Sequence, residues 1–215
     1  FDPARIHATG IPIRHQFAEP LDRRAARQQL GLDPDRPVLL LMGGAYGVLP
    51  RLGKMPRLLR GLPPEVQVLV VCGRDPRSYR RFQREALACD LGRMRVFGFV
   101  EPVHLFMAAS DLVVTKAGGL TTSEALAMNL PMLIFRPLPG QEEQNTRFLT
   151  SSGAAVVAHR TTDLRRALSD LLTHPEQLEV MREAATRIAR PRAAETIVAT
   201  MLGHVQAAQT TQRPA

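Results

Sequence analysis

The stretch DLVVTKAGGLTTSEAL, residues 111–126, sets out the local plan of the chain. An apolar run leads into two adjacent glycines, and three hydroxyl side chains, one carboxylate and an apolar helical spacing follow. Because glycine permits tight turns and close approach to the backbone, the pattern predicts a strand, a turn at Gly118-Gly119 and a helix.

The same alternation of strand and helix runs along most of the chain. Apolar runs predict six strands at 37–44, 66–73, 94–100, 111–119, 131–137 and 154–158. These runs are nearly continuous, which is typical of strands covered on both faces. Helical patterns lie at 51–60, 77–90, 102–109, 121–129, 142–151 and 162–173. We predict an α/β fold with a Rossmann-like, doubly wound, six-stranded parallel sheet and a helical C-terminal extension from 175 to about 206.

The ends of the chain differ from its middle. The start, FDPARIHATG, has neither an initiating Met nor a signal-peptide core, and we interpret it as the continuation of a longer product. Residues 1–20 are extended and interrupted by Gly10 and Pro12, which indicates a linker. We expect one domain over 21–206 and a disordered tail over 207–215.

Composition narrows the classes of function. The 215 residues are 45% hydrophobic and 22% charged, as in globular domains, and no apolar run approaches the ~20 residues of a membrane span. Two cysteines and six dispersed histidines lack metal-ligand spacing, so we expect no metal site and no cofactor. The net charge of +8 suits a phosphate-bearing ligand or anionic lipid, whereas 5% aromatic residues disfavour nucleic acid.

Candidate ligand loops follow four of the predicted strands. Gly43-Gly44 follow the first, GFVEP (98–102) the third, KAGGLTTSE (116–124) the fourth and PLPGQEEQN (137–145) the fifth. Ligands of open parallel sheets bind beyond the carboxyl ends of the strands, so these loops predict one site. The spacing of Gly43, Gly44 and Gly47 does not match the dinucleotide fingerprint, which counts against a dehydrogenase.

Two interpretations of AGGLTTSE remain open on pattern alone. Two glycines at a helix N-terminus make a cradle for a diphosphate, to which Lys116 adds a charge unless it is simply solvated. Alternatively, Thr121 and Glu124 form a capping box, with Thr121 as N-cap residue, and the glycines only make the turn. The pattern by itself favours the capping box.

Two further clusters have the same ambiguity. Gln141, Glu142 and Asn145 share one helical face and suit sugar hydroxyls, but they also suit a solvated first turn. Arginines at 77, 80, 81 and 84 line one side of a predicted helix, where they form a solvated basic face or attract a membrane surface.

Four motifs together resemble diacylglycerol glycosyltransferases. They are TGIPI (9–13), GFV (98–100), VTKAGGLTTSEALAMNLPMLIFRPLPGQEEQN (114–145) and GAAVV (153–157). The chain is similar to processive diacylglycerol glucosyltransferases and monogalactosyldiacylglycerol synthases, and more distantly to the lipid I N-acetylglucosaminyltransferase of peptidoglycan synthesis. The resemblance implies the C-terminal, donor-binding lobe of a GT-B glycosyltransferase, with the N-terminal acceptor lobe absent from this chain.

The resemblance also implies roles for the residues of the loops. Phe99 and Val100 would contact uracil through their backbone, and Glu124 would bind the ribose hydroxyls. The diphosphate would lie against the run Gly118, Gly119, Leu120 and Thr121. Gln141 and Glu142 would hold the hexose with support from Asn145, Arg136 would balance phosphate charge, and Gly43 and Gly44 would flank the cleft.

The implied reaction is inverting hexosyl transfer from a UDP-sugar to a lipid such as diacylglycerol, in glycolipid synthesis. The general base would belong to the absent lobe, and the isolated domain would be inactive. The alternatives are transfer of N-acetylglucosamine to a cell-wall lipid, a GT-B sugar-nucleotide epimerase and a non-catalytic nucleotide-sugar-binding module. We expect a cytoplasmic location at the inner face of the membrane, and self-association of the isolated domain through Ile197, Met201 and Val205.

Overall fold

The computed structural model describes residues 2, 6–19, 21–43, 58–59, 61–88 and 93–211. Gly44, Gly47 and most of the helix predicted at 51–60 lie outside these residues. No helix in the described ranges is both long enough and apolar enough to cross a bilayer.

The sheet confirms the predicted class. Its strands are β1 (Val38–Met42), β2 (Gln67–Val71), β3 (Met94–Phe97), β4 (Leu112–Thr115), β5 (Met132–Phe135) and β6 (Ala155–Ala158). All neighbours pair in parallel, in the order β3-β2-β1-β4-β5-β6. The order reverses between β1 and β4, where the connections leave in opposite directions and open a crevice at the carboxyl ends.

The helices follow the predicted alternation. They are α1 (Arg23–Gln29), α2 (Pro76–Ala88), α3 (Val103–Ala109), α4 (Gly119–Ala127), α5 (Gln141–Ser151), α6 (Thr161–Thr173), α7 (Pro175–Ile188) and α8 (Ala193–Thr211). A 3₁₀ turn, His15–Phe17, precedes α1. The last helix continues to Thr211, so residues 207–211 of the predicted tail are helical.

The core has one layer on each face of the sheet. Leu40, Met42 and Val113 belong to the layer that is completed by α1, α3 and α4. Leu39, Leu41 and Val114 belong to the opposite layer, which includes Phe82 of α2 and the leucines of α6. Successive strand residues therefore alternate between two buried layers, and this explains the continuous apolar runs.

Asp111 ties the amino ends of the central strands to two helices. One carboxylate oxygen accepts from the backbone N–H of Val38 at 2.8 Å and from Arg27 of α1 at 2.6 Å. The other accepts from Arg182 of α7 at 3.1 Å and from Arg23 at 3.3 Å. The side chains of Asp111, Arg27 and Arg182 are all largely buried.

Asp111→Asn should lower the free energy of unfolding by about 3 kcal/mol, because it leaves buried guanidinium groups without their counter-charge. Urea unfolding measures the change. The matched control is Asp35→Asn, which breaks an exposed pair with Arg24 and should cost less than about 1 kcal/mol. Equal losses in the two variants would contradict the role given to Asp111.

Candidate functional site

A cavity of about 720 Å³ lies at the carboxyl edge of the sheet. Its walls come from the N-terminal segment, from the ends of β1 and β2, from the loops after β2 and β3, and from the starts of α3 and α4. Five of the residues predicted from sequence line it: Phe99, Val100, Leu120, Thr121 and Glu124. These residues are distant in sequence, and the parallel sheet brings them together.

Other predicted residues lie around this cavity or beside it. Gly119 and Asn145 line a neighbouring cavity of about 430 Å³, between the N-terminal segment, α4, α5 and α7. The residues that line neither of these two cavities are Gly43, Lys116, Gly118, Arg136, Gln141 and Glu142.

The start of α4 is not the predicted capping box. The helix begins at Gly119 with Gly118 as its N-cap residue, and no side chain of the described residues caps it. Gly118 has an extended backbone, and its carbonyl accepts the first helical hydrogen bond from the N–H of Thr122. Thr121 therefore lies inside the helix, and the capping-box interpretation of Thr121 and Glu124 is wrong. The hydroxyl of Thr122 adds a second bond to the Gly118 carbonyl, at 3.0 Å.

The two glycines of this turn differ in their surroundings. A Cβ at Gly119 would stand 2.9 Å from Cδ1 of Ile11 in the N-terminal segment, so a larger residue there would displace the Ile11 side chain. A Cβ at Gly118 would meet no heavy atom of the described residues within 4 Å, and the φ of Gly118, −71°, suits any residue. Nothing in the described fold therefore requires glycine at 118. The described residues thus leave the backbone of Gly118 open to approach from the side of its missing Cβ.

Glu124 lies in the second turn of α4, on the wall of the cavity. Burial raises the pKa of its carboxyl, and the nearby positive charge of Arg14 opposes this shift. Its side chain makes no hydrogen bond among the residues that the structure describes. A carboxylate that is desolvated without partners destabilises the protein in its ionised form.

The loop after β5 holds its polar residues by internal contacts. Arg136 adopts a left-handed backbone with φ 52°, its Nε donates to the carbonyl of His159 at 3.3 Å, and its guanidinium lies over the ring of Phe135. The carboxylate of Glu142 accepts from the N–H of Leu138 at 3.0 Å.

Asn145 connects two of the predicted ligand loops. Its Nδ2 donates to the carbonyl of Ala117 at 2.8 Å, which joins α5 to the loop before α4. Gln141, at the start of the same helix, is exposed. Asn145 therefore fixes the position of the glycine turn relative to α5.

Sequence reasoning assigned no ligand role to several polar residues that line the larger cavity, among them Arg14, Gln16, Arg74 and His104. Arg74 follows β2 and lies over the ring of Phe99, with 4.7 Å between its Cζ and the ring centroid. Because Arg74 lies beyond the carboxyl end of a strand, the sequence could have indicated it as a candidate ligand residue. Arg14 and Gln16 reach the cavity because the N-terminal segment folds back onto the domain, which no local pattern indicates.

That return is held by close packing. Gly10 has φ 92°, and a Cβ there would stand 2.8 Å from Cβ of Arg190. Glycine is thus required at position 10 by conformation and by contact.

In the part of the chain that the structure describes, no group of three or more His, Cys, Asp or Glu side chains could hold a metal ion.

Comparison with known proteins identifies the family. Residues 38–197 match the model of the glycosyltransferase family 28 C-terminal domain. The chain belongs to this family. This confirms the resemblance found in the sequence, and the six-stranded parallel sheet is the Rossmann-like sheet of the GT-B fold.

Curated relatives of this family 28 domain are glycolipid enzymes. The processive diacylglycerol beta-glucosyltransferase of Bacillus subtilis (strain 168) is 32% identical over 202 residues, which are 93% of this chain and 52% of the relative. The enzyme of the same name from Staphylococcus carnosus is 34% identical over 178 residues, 83% of this chain and 45% of the relative. The family 28 domain spans about half the length of these curated relatives.

Solved structures share the fold of the family 28 domain. MurG of Acinetobacter baumannii has a TM-score of 0.68 at 22% identity, over 87% of this chain and 55% of that one. A putative UDP-N-acetylglucosamine 2-epimerase of Listeria monocytogenes has a TM-score of 0.71 at 21% identity, over 96% of this chain and 55% of that one. HepE of Anabaena, in complex with UDP and glucose, has a TM-score of 0.66 at 17% identity, over 89% of this chain and 55% of that one.

Glu124→Gln should raise the free energy of unfolding at pH 7 or leave it unchanged. The pKa of Glu124 is higher in the folded than in the unfolded chain, so ionisation lowers stability as pH rises through the interval between the two values. The difference between variant and wild type should vanish below the ordinary pKa of 4.5. Urea unfolding across pH tests this, and a variant that is less stable than the wild type at pH 7 would contradict the destabilising effect of the ionised carboxylate.

Proposed function

We propose that this chain binds the nucleotide-sugar donor of an enzyme that transfers a hexose from a UDP-sugar to a lipid acceptor such as diacylglycerol. The observation that carries the proposal is the uncapped start of α4, which opens at Gly118 beside the cavity that Glu124 lines. The curated relatives are named for glucosyl transfer to diacylglycerol, and HepE, which shares the fold, was solved with UDP.

The first turn of α4 is suited to a diphosphate. Its backbone N–H groups have no intrahelical partners, and the helix dipole places partial positive charge at this end. The open space at Gly118 allows phosphate oxygens to approach the backbone. We assign the diphosphate to Gly118, Gly119, Leu120 and Thr121, with Lys116 and Arg136 balancing its charge.

The larger cavity is suited to the nucleoside. Its volume of about 720 Å³ lies within the range of small-ligand sites. We assign uracil to the backbone of Phe99 and Val100, and the ribose hydroxyls to the carboxylate of Glu124. Two hydroxyl donors would provide the hydrogen bonds that this half-buried carboxylate lacks in the described fold.

The hexose is assigned to the loop after β5. Gln141 is exposed at the start of α5, and Glu142 is held in place by the N–H of Leu138. Asn145 acts indirectly, since it fixes this helix to the glycine turn. Gly43 and Gly44 flank the cleft from the first strand, although Gly44 lies outside the described residues.

The role of this chain in the reaction is to hold the donor and to stabilise the leaving group. The acceptor hydroxyl attacks the anomeric carbon with inversion while UDP departs, and the N–H groups of α4 stabilise the charge that develops on the diphosphate. We assign the base that deprotonates the acceptor to the part of the enzyme that this chain does not contain, and we assign no metal site. The exposed arginines Arg77, Arg80 and Arg84 suit a location at an anionic membrane face.

Gly118→Ala should weaken UDP binding at least tenfold while the thermal midpoint changes little. The added methyl group enters the open space through which phosphate reaches the backbone, but it contacts nothing in the described fold. Isothermal titration calorimetry with UDP, NAD and ATP measures the affinity and its selectivity.

The matched control is Gly203→Ala in α8, where an added Cβ also meets no described atom within 4 Å. It should bind UDP like the wild type. A wild-type chain that prefers NAD or ATP to UDP would overturn the proposal, and an unchanged UDP affinity in Gly118→Ala would overturn the diphosphate assignment.

The isolated chain should self-associate through α8. Val198, Met201, Leu202 and Val205 are all more than half exposed and recur at helical spacing, whereas Ile197 is partly buried. Sedimentation velocity should show a concentration-dependent increase in mass, which Met201→Glu reduces. A strictly monomeric chain at all concentrations would contradict this prediction.

A further inference from the structure

His104 lies on the wall of the larger cavity, at the second position of α3. Val100 and Val103 line the cavity beside it. Its ring meets Phe17 edge to face, with the centroids 6.0 Å apart and an angle of 78° between the planes. The helix begins directly after the loop that carries Phe99 and Val100, so His104 borders the part of the cavity assigned to the base.

One nitrogen of this ring is enclosed by protein. Nδ1 is inaccessible to solvent, and within the described ranges no group is placed to form a hydrogen bond with it. An unsatisfied buried N–H group is rarer in proteins than an unsatisfied acceptor, so the proton belongs on Nε2. Burial and, to a lesser extent, the positive charge of Arg14 lower the pKa of His104, which favours the neutral ring. The side chain therefore offers one N–H donor, at Nε2.

We propose that His104 donates this N–H to the O4 carbonyl of uracil and determines the choice of uracil over cytosine. The inference rests on the proposed function, which places the base beside Val100 and the ribose at Glu124. O4 is the uracil carbonyl that points away from the ribose. Cytosine carries an amino group at the same position, so two N–H donors would face each other and that pairing is unfavourable.

The test compares UDP and CDP by isothermal titration calorimetry in wild type, His104→Phe and His104→Gln. Phenylalanine preserves the ring contact with Phe17 but has no donor, whereas the glutamine amide retains one. We expect the wild-type preference for UDP over CDP to fall about tenfold in His104→Phe, the scale of one hydrogen bond, and to survive in part in His104→Gln. His174→Phe, at the exposed end of α6, is the control and should change neither affinity.

The imidazole ¹⁵N shifts of His104 give an independent readout. They should report the Nε2–H tautomer in the free chain and a change at Nε2 when UDP is added. An Nδ1–H tautomer, or an unchanged ratio of UDP to CDP affinity in His104→Phe, would overturn the role of His104 alone. A wild-type chain that binds neither nucleotide would overturn the proposed function together with it.

Discussion

The carboxylate of Asp111 is the constraint on which the rest of the structure depends. It accepts a hydrogen bond from the N–H of Val38 in β1 and joins Arg27 of α1 to Arg182 of α7. These contacts lie at the amino ends of β1 and β4, the pair at which the strand order reverses. Because the network fixes the amino ends of both strands, it also determines where their carboxyl ends lie. The ligand crevice is therefore positioned by groups at the opposite edge of the sheet.

Asp111 and Glu124 are carboxylates that the fold removes from solvent in two different environments. Asp111 is surrounded by three guanidinium groups and a peptide N–H, so its charge is compensated within the fold. Glu124 is half-buried without a hydrogen-bond donor among the described residues, and the folded chain binds its proton more tightly than the unfolded chain does. The first arrangement stabilises the fold, whereas the second leaves an acceptor ready for a ligand at the cost of some stability.

The sequence was sufficient to predict the sheet and several residues of the cavity wall, because both follow from regular patterns. Continuous apolar runs identified all six strands, and their carboxyl ends indicated Phe99, Val100 and Glu124. The start of α4 was misassigned because Thr121 and Glu124 match the sequence pattern of a capping box. The helix instead begins after Gly118, which has an extended backbone, and the sequence pattern does not reveal that conformation. Arg14 was missed for a different reason. It reaches the site because the N-terminal segment folds back onto the domain, and this contact between distant segments has no signature in local sequence.

The docked N-terminal segment contacts two parts of the domain that are distant in sequence. Gly10 lies against Arg190 and Ala193, where α7 gives way to α8, and Ile11 fills the space beside the backbone of Gly119. Residue 119 therefore has a neighbour in this segment, whereas residue 118 has none among the described residues. One short stretch of chain thus lies against both the junction of the last two helices and the start of α4.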